Sequence, residues 1–104
     1  MNLTMLIGFL GENPAIEEQN GKTVARFSLA TKSRFAGRDG MTQEATDWHS
    51  IVAFGGLANA CRRLSKGDRV AVVGRLRSPD RRNASEVFAS DIEFLVLRAD
   101  RANG

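Results

Sequence analysis

Apolar positions in this chain recur mostly at every second residue, the period of a strand, and only once at every third or fourth, the period of a helix. From Asn2 to Gly11, Leu3, Met5, Ile7 and Phe9 alternate with Leu6, Gly8 and Leu10, so the first strand is apolar on both sides. Such a strand is expected to be covered on both faces, and Gly8 and Gly11 let it bend as a small closed barrel requires. Glu12-Asn13-Pro14 interrupts it, because proline has no amide hydrogen for a ladder. Residues 15–21 end in Asn20-Gly21, the dipeptide suited to a hairpin turn with positive φ.

Lys22 to Ser33 alternates most cleanly. Ala25, Phe27, Leu29 and Thr31 fall on one side, and Arg26, Ser28, Ala30 and Lys32 on the other, so one side goes to a core and the other shows cations. Arg34 to Ala45, rich in glycine and charge, reads as a loop in which Phe35 stands among Arg34, Gly37, Arg38, Asp39 and Gly40. A ring with no core within reach favours contact with a ligand, the alternative being a clamp onto the loop base. Thr46 to Gly56 holds the only Trp and the only His. As a strand it puts Trp48, Ser50, Val52 and Phe54 on one side and Asp47, His49, Ile51 and Ala53 on the other. At ~3.3 Å per residue, Trp48 and Phe54 stand roughly 20 Å apart, too far to stack on each other but placed to meet separate groups of a long ligand. Burial of both in the core is the competing reading, and this segment alone leaves it open.

The period then changes. Leu57, Cys61 and Leu64 recur at helical spacing with Ala58 and Ala60 beside them, which predicts one short amphipathic helix over 55–66, ended by Gly67. Arg62 and Arg63 on its last turn are explained by solubility and the helix dipole. Asp68 to Ser78 alternates again, with Val70, Val72, Gly74 and Leu76 inward and Arg69, Arg75 and Arg77 among the outward residues. No acid alternates with these arginines, so they suggest a track for a phosphate backbone. A short basic loop holding Arg81 and Arg82 leads to a last strand, Glu86 to Leu97, with Phe88, Ile92, Phe94 and Val96 in one register. The expectation is therefore an all-β protein of five strands with one short helix between strands three and four. That order and the glycine-bearing strands fit an OB-fold, a five-stranded Greek-key barrel whose strands two and three form the usual oligonucleotide face.

Composition narrows the reading. At 104 residues the chain suits a single domain with one modest core. No apolar run approaches a membrane span and no export segment is evident, so a cytoplasmic protein is expected. Cys61 has no partner in the chain and is expected to be a small buried hydrophobe, with no disulfide and no cysteine-rich metal site. The net charge of +3 leans mildly towards polyanions. Residues 1–45 carry five basic and five acidic side chains and residues 46–104 ten and seven, so the excess lies in the second half. An enzyme is not expected: Asp47, His49 and Ser50 match triad components by composition only, since positions 49 and 50 point to opposite sides of a strand, and no phosphate loop or metal-ligand spacing appears.

Four stretches in order carry a resemblance: Met1-Asn2 and a strand ending Gly8-Phe9-Leu10-Gly11-Glu12-Asn13-Pro14; Val24-Ala25-Arg26-Phe27-Ser28-Leu29-Ala30-Thr31; Asp47-Trp48-His49 leading to Phe54-Gly55-Gly56-Leu57-Ala58; and Lys66-Gly67-Asp68-Arg69-Val70 running to Gly74-Arg75-Leu76-Arg77. Together, from residue 1 to about 97, they resemble the bacterial single-stranded DNA-binding protein family.

The resemblance implies an OB-fold domain over 1–98 that binds single-stranded DNA without sequence preference, in replication, recombination and repair. It implies a homo-oligomer, expected to be a homotetramer, associated with the nucleoid, without cofactor or metal and without contact to membranes. It places Trp48 and Phe54 at stacking positions and Phe35 near one, with Arg26, Lys32, Arg34, Arg38, Arg75, Arg77, Arg81 and Arg82 on the DNA backbone and His49 at the subunit interface. The chain departs from the family twice. Where the family often carries another stacking aromatic between its last two strands, only Arg81 and Arg82 stand here. The family's flexible tail with its acidic tip is also missing, residues 99–104 being a short extension, so tail-mediated protein partners are not expected from this chain. Two other readings are a PriB-like primosomal replication protein, which is a tail-less dimeric OB-fold, and an OB assembly module that binds no DNA and keeps its aromatics in the core.

Overall fold

The computed structural model describes residues 1–78 and 85–97. Among them the chain forms six strands, β1 (Thr4–Leu10), β2 (Ala15–Gln19), β3 (Lys22–Ala36), β4 (Thr42–Phe54), β5 (Arg69–Arg77) and β6 (Glu86–Val96). One helix, α1 (Gly55–Ala60), and a 3-10 turn at Cys61–Arg63 lie between β4 and β5. The strands are ordered β1-β5-β6-β4-β3, and β1 also pairs with β3 through Phe9↔Ala30 and Leu10↔Leu29. That last pairing closes five strands into a ring, and the parallel β4–β6 step gives it the Greek-key order of an OB-fold.

β2 is the strand beyond the expected five. It pairs with the start of β3 where β1 leaves off, so β1 and β2 together take the place of one long first strand interrupted by Glu12-Asn13-Pro14. The helix thus sits where it was expected, and only the count before it changes. The Asn20-Gly21 turn forms as the dipeptide predicts, with φ of 51° and 78°.

The inward sides of β3 and β4, carrying Phe27, Leu29, Ile51 and Ala53, meet Val70, Val72, Val87 and Ile92 across the barrel, and all are buried. Each of the larger side chains among them contributes roughly 1.5–3 kcal/mol when fully removed from water. One end of this core is closed by Ala58, Cys61 and Leu64 at threefold spacing. Burial pushes the Cys61 thiol up from 9.0 to about 11, so it stays a neutral packing group, as expected. The helix is shorter than the predicted 55–66. It tightens into the 3-10 turn, and Gly67 (φ 90°) belongs instead to a separate turn over 65–68. There the Ser65 amide donates to the Asp68 carboxylate at 2.7 Å, and the Gly67 amide to the Leu10 carbonyl at 2.9 Å, tying the helix exit to the end of β1.

Three further expectations are corrected. The segment 34–45 is not a loop: β3 and β4 continue as a two-stranded ribbon to Ala36↔Thr42, leaving only 37–41 as a turn closed by hydrogen bonds between Gly37 and Met41 and between Gly40 and Gly37. The first strand is not covered on both faces. Gly8 and Leu10 are buried, but Leu3, Met5, Ile7 and Phe9 on the other side are exposed in the single chain, Met5 at 69% and Ile7 at 56%.

The last strand does not keep one register. Val73 pairs with Asp91 but Gly74 pairs with Ala89, so Ser90 is an extra residue, a β-bulge. Ile92 and Phe94 point inward as predicted, whereas the bulge reverses the alternation and turns Phe88 outward. The Ser90 hydroxyl donates to the Val73 carbonyl at 3.0 Å, giving it a partner at the break in the ladder. A Cβ on Gly74 would run into the carbonyl of Phe88, so glycine permits the close crossing here.

Candidate nucleic-acid interface

The β3–β4 register decides which side chains share a surface. Ser28 lies opposite Ser50, Ala30 opposite Trp48, Arg26 opposite Val52 and Val24 opposite Phe54, all on the side away from the core residues Phe27 and Ile51. Trp48 and Phe54 therefore lie on the outer wall of the barrel, 62% and 46% exposed, which removes the reading that both are core. Beneath Trp48 runs the chain at Gly11, whose amide donates to the Ser28 carbonyl at 3.0 Å. A Cβ on Gly11 would collide with the six-membered ring of the indole, so this glycine lets the ring rest on bare backbone with the rest of its surface open to solvent.

At the other end of the same surface Phe54 meets Phe88 edge to face, with centroids 5.4 Å apart and planes at 64°. Phe88 lies opposite Val52 in the parallel β4–β6 register and opposite Arg75 in β5, and the Arg77 guanidinium stands 5.1 Å from its ring centre. Reading the sequence missed Phe88, because unbroken alternation assigned it to the core with Ile92. The available sign was Ala89-Ser90-Asp91, a small and polar run where an alternating strand should show another inward apolar residue.

The cations are divided more finely than the sequence suggested. Arg75 and Arg77 are exposed beside the ring pair, while Arg69, on the same strand, stands 5.9 Å from the Phe9 ring at the far end and does not join them. Arg26 is already paired, its guanidinium 2.7 Å from Glu86. Lys32 and Arg34 share the single carboxylate of Glu44 at 3.7 and 3.8 Å, leaving an excess of positive charge on the ribbon. These pairs are exposed and so weak, which leaves the cations available to a phosphate. Arg38 is exposed in the turn at the tip. Arg81 and Arg82 lie outside the described residues.

Phe35 is 49% exposed but occupies the opposite side of β3 from Ala30 and Lys32, the side of Phe27 and Leu29. It sits on the ribbon beyond the barrel, and the structure does not bring it onto the surface of Trp48. His49 is half-buried on the core side of β4, with its Nε2 2.8 Å from the Thr31 hydroxyl. Asp47 shares that side and Ser50 does not, so the three cannot converge as a triad.

The arrangement is a curved outer wall bearing rings at both ends and guanidinium groups between and beside them. It can receive flat π-systems and anionic groups in alternation. No helix among the described residues is long and apolar enough to cross a membrane.

Comparison with known proteins agrees with this reading of the fold. The single-stranded DNA-binding protein 1 of Chlorobaculum tepidum is 39% identical over 105 residues, covering 91% of this chain and 65% of the relative. That of Xylella fastidiosa is 35% identical over 109 residues, covering 96% and 66%. The chain thus spans just under two thirds of the length of these relatives. Among solved structures, a Plasmodium falciparum SSB in complex with single-stranded DNA superposes with a TM-score of 0.80 at 35% identity, covering 91% of this chain and 95% of that one. The Thermus aquaticus single-stranded DNA-binding protein gives 0.79 at 27% identity, covering 95% and 52%. Residues 1–95 match the model of the single-strand binding protein family, and the chain belongs to that family.

Proposed function

We propose that this protein binds single-stranded DNA without sequence preference, stacking unpaired bases on the outer rings and pairing phosphates with the cations beside them. It thereby protects exposed strands during replication, recombination and repair. The observation that carries the reading is the open Trp48 indole, held over the bare backbone of Gly11 on the wall that also bears Phe54 and Arg26. A core would have covered that ring, and an assembly module with internal aromatics would not present it. Single-strand-binding OB-folds are already known to gain ~1–3 kcal/mol per stacked base and to occupy ~4–16 nucleotides each. Lys32, Arg34 and Arg38 on the ribbon extend the cationic path past the barrel, and Arg81 and Arg82, outside the described residues, are assigned to the DNA backbone with them. Phe35 would take part only if the ribbon twists enough to turn its outer half over.

We assign the second exposed face to another copy of the chain. Met5 and Ile7 on β1 lie opposite Val73 and Ala71 on β5, forming an aliphatic stripe bordered by Asp91 and Glu93. Met5 and Ile7 offer bases no ring to stack on, the ring on this side being Phe9 at the far end beside Arg69, and two copies related by a twofold axis would bury the stripe mutually. A homotetramer then needs a further contact, and half-buried His49 is our candidate for it. We also assign the protein to the nucleoid in the cytoplasm, a reading supported by the single-stranded DNA-binding names of its relatives.

Titration with oligo-dT, followed through Trp48 fluorescence over a salt series, tests the main reading. Quenching is expected, with log K falling against log salt by ~0.7 for each phosphate neutralised. A Trp48 signal unmoved by oligo-dT at any salt would overturn it.

A further inference from the structure

The bulge at Ser90 does more than interrupt a ladder. It is the reason Phe88 is on the outside, because without the extra residue position 88 would share the inward parity of Ile92. Bulges characteristically re-aim a side chain next to a site. Here the turned ring comes to rest against Phe54, with Arg77 on one of its faces and Arg75 directly across the strand pair. The space in front of the two rings is an open, mainly apolar cleft of about 620 Å³, lined by Phe54, Phe88, Arg75 and Ser90 and bordered by Asn2 and Leu3 from the start of the chain. Asn2 is itself held in place, its amide donating to the Leu76 carbonyl at 2.8 Å and accepting from the Leu76 amide at 3.0 Å.

Resting on the DNA-binding reading above, we propose that Phe88 and Phe54 together form a nucleobase subsite. One unpaired base enters the cleft against the two rings while the Arg75 guanidinium meets its phosphate. Three observations favour a base over any other flat group. Two aromatic walls meet at an angle, so a planar ring packs against one while its edge faces the other. A cation stands at the rim, where the anionic backbone of the same nucleotide would run. The cleft also lies on the same outer wall as Trp48, in line along β4, so a strand laid across Trp48 and Phe54 reaches it without changing direction. The subsite supplies a second ring in a chain that carries no aromatic in its segment between β5 and β6.

A packing role for Phe88 is the competing account, since the ring lies in register with Val52, which is buried. Phe88→Leu separates the two, because leucine still covers Val52 but has no π-face. The subsite predicts that this variant melts close to the parent, binds oligo-dT about five- to tenfold more weakly, as for the loss of one modest stacking partner, and binds an abasic oligomer of the same length as the parent does. Unchanged affinity for oligo-dT would overturn it. Should Phe88→Leu fold poorly, Trp48→Phe combined with Phe88→Trp decides the matter. The single indole at 88 is expected to be quenched by oligo-dT and not by the abasic oligomer, and equal response to both would refute base contact. If the parent itself ignores oligo-dT, the DNA-binding reading falls and the subsite with it; if only the Phe88 variants match the parent, the subsite alone falls.

Discussion

Two regions of this small barrel leave apolar surface in water, and they differ in kind. The wall built by β3, β4 and the start of β6 exposes the rings of Trp48 and Phe54 and bears the half-buried ring of Phe88, with guanidinium groups of Arg26, Arg75 and Arg77 alongside. The wall built by β1, the first part of β5 and the end of β6 exposes Met5 and Ile7 over Val73 and Ala71, with the carboxylates of Asp91 and Glu93 at its border. Exposure alone would rank the two walls together, since Met5 is as open as Trp48. Chemistry separates them: planar π-surfaces beside cations suit bases and phosphates, whereas flexible aliphatics edged by acids repel a phosphate backbone and suit another protein surface. The bulge at Ser90 marks the boundary, because it turns Phe88 out on one side of it while Asp91 and Glu93 stay out on the other.

The largest effect is expected from breaking the aliphatic wall. Ile7→Glu would place a charge at the centre of the stripe, where a second copy could cover it only by burying an unpaired carboxylate, a penalty of several kcal/mol. The mass by light scattering should fall at least twofold at low micromolar concentration, while a short oligo-dT that fits one barrel still quenches Trp48. An unchanged mass would show that this face is not where copies meet. A loss of quenching together with a normal fold would show that the two walls are not independent.

The converse change is Trp48→Ala. It should weaken oligo-dT binding by about 1–3 kcal/mol and leave the oligomer mass untouched. Overlapping titrations of variant and parent would remove the indole from the DNA path. A changed mass would instead assign Trp48 to the assembly and dissolve the contrast between the walls.

How much of this was legible in the sequence depends on what each inference needed. The inward faces of β3 and β4 could be read directly, because alternation runs unbroken from Ala25 to Thr31 and from Asp47 to Ala53, and every expected core residue of Phe27, Leu29 and Ile51 is buried. The side of β4 bearing Trp48 and Phe54 followed from the same parity, yet parity could not say which side was wet. That required the position of the opposite barrel wall. Phe88 was misassigned because a period of two carries no memory across an inserted residue, and Ser90 is such a residue. The ribbon beyond Ser33 reads as a loop in the sequence because it has no apolar side. It is held by its backbone ladder and by cross-strand charge, Arg34 facing Glu44, and neither leaves a hydrophobic trace. The open face of β1 was fully visible as a pattern, but one sequence does not distinguish a strand covered by its own chain from one covered by a copy.

The smallest and most discriminating effect concerns acids rather than rings. Glu86 lies on the ring-bearing wall and occupies Arg26 at 2.7 Å, so any phosphate that approaches Arg26 must compete with it. Both side chains are partly exposed, and such a pair stabilises the fold by no more than about 1 kcal/mol. Glu86→Gln should therefore cost little in melting temperature while freeing one cation for the strand. Oligo-dT affinity should rise a few-fold at low salt, and the salt slope should steepen by up to ~0.7 as one more phosphate is neutralised. Glu93→Gln on the other wall removes the same charge from the molecule and should leave both the slope and the low-salt affinity near the parent's. If both substitutions raise affinity equally, net charge alone governs binding and the walls are not electrostatically distinct. If only Glu86→Gln does, the strand runs past Arg26, between Trp48 and the Phe54–Phe88 pair.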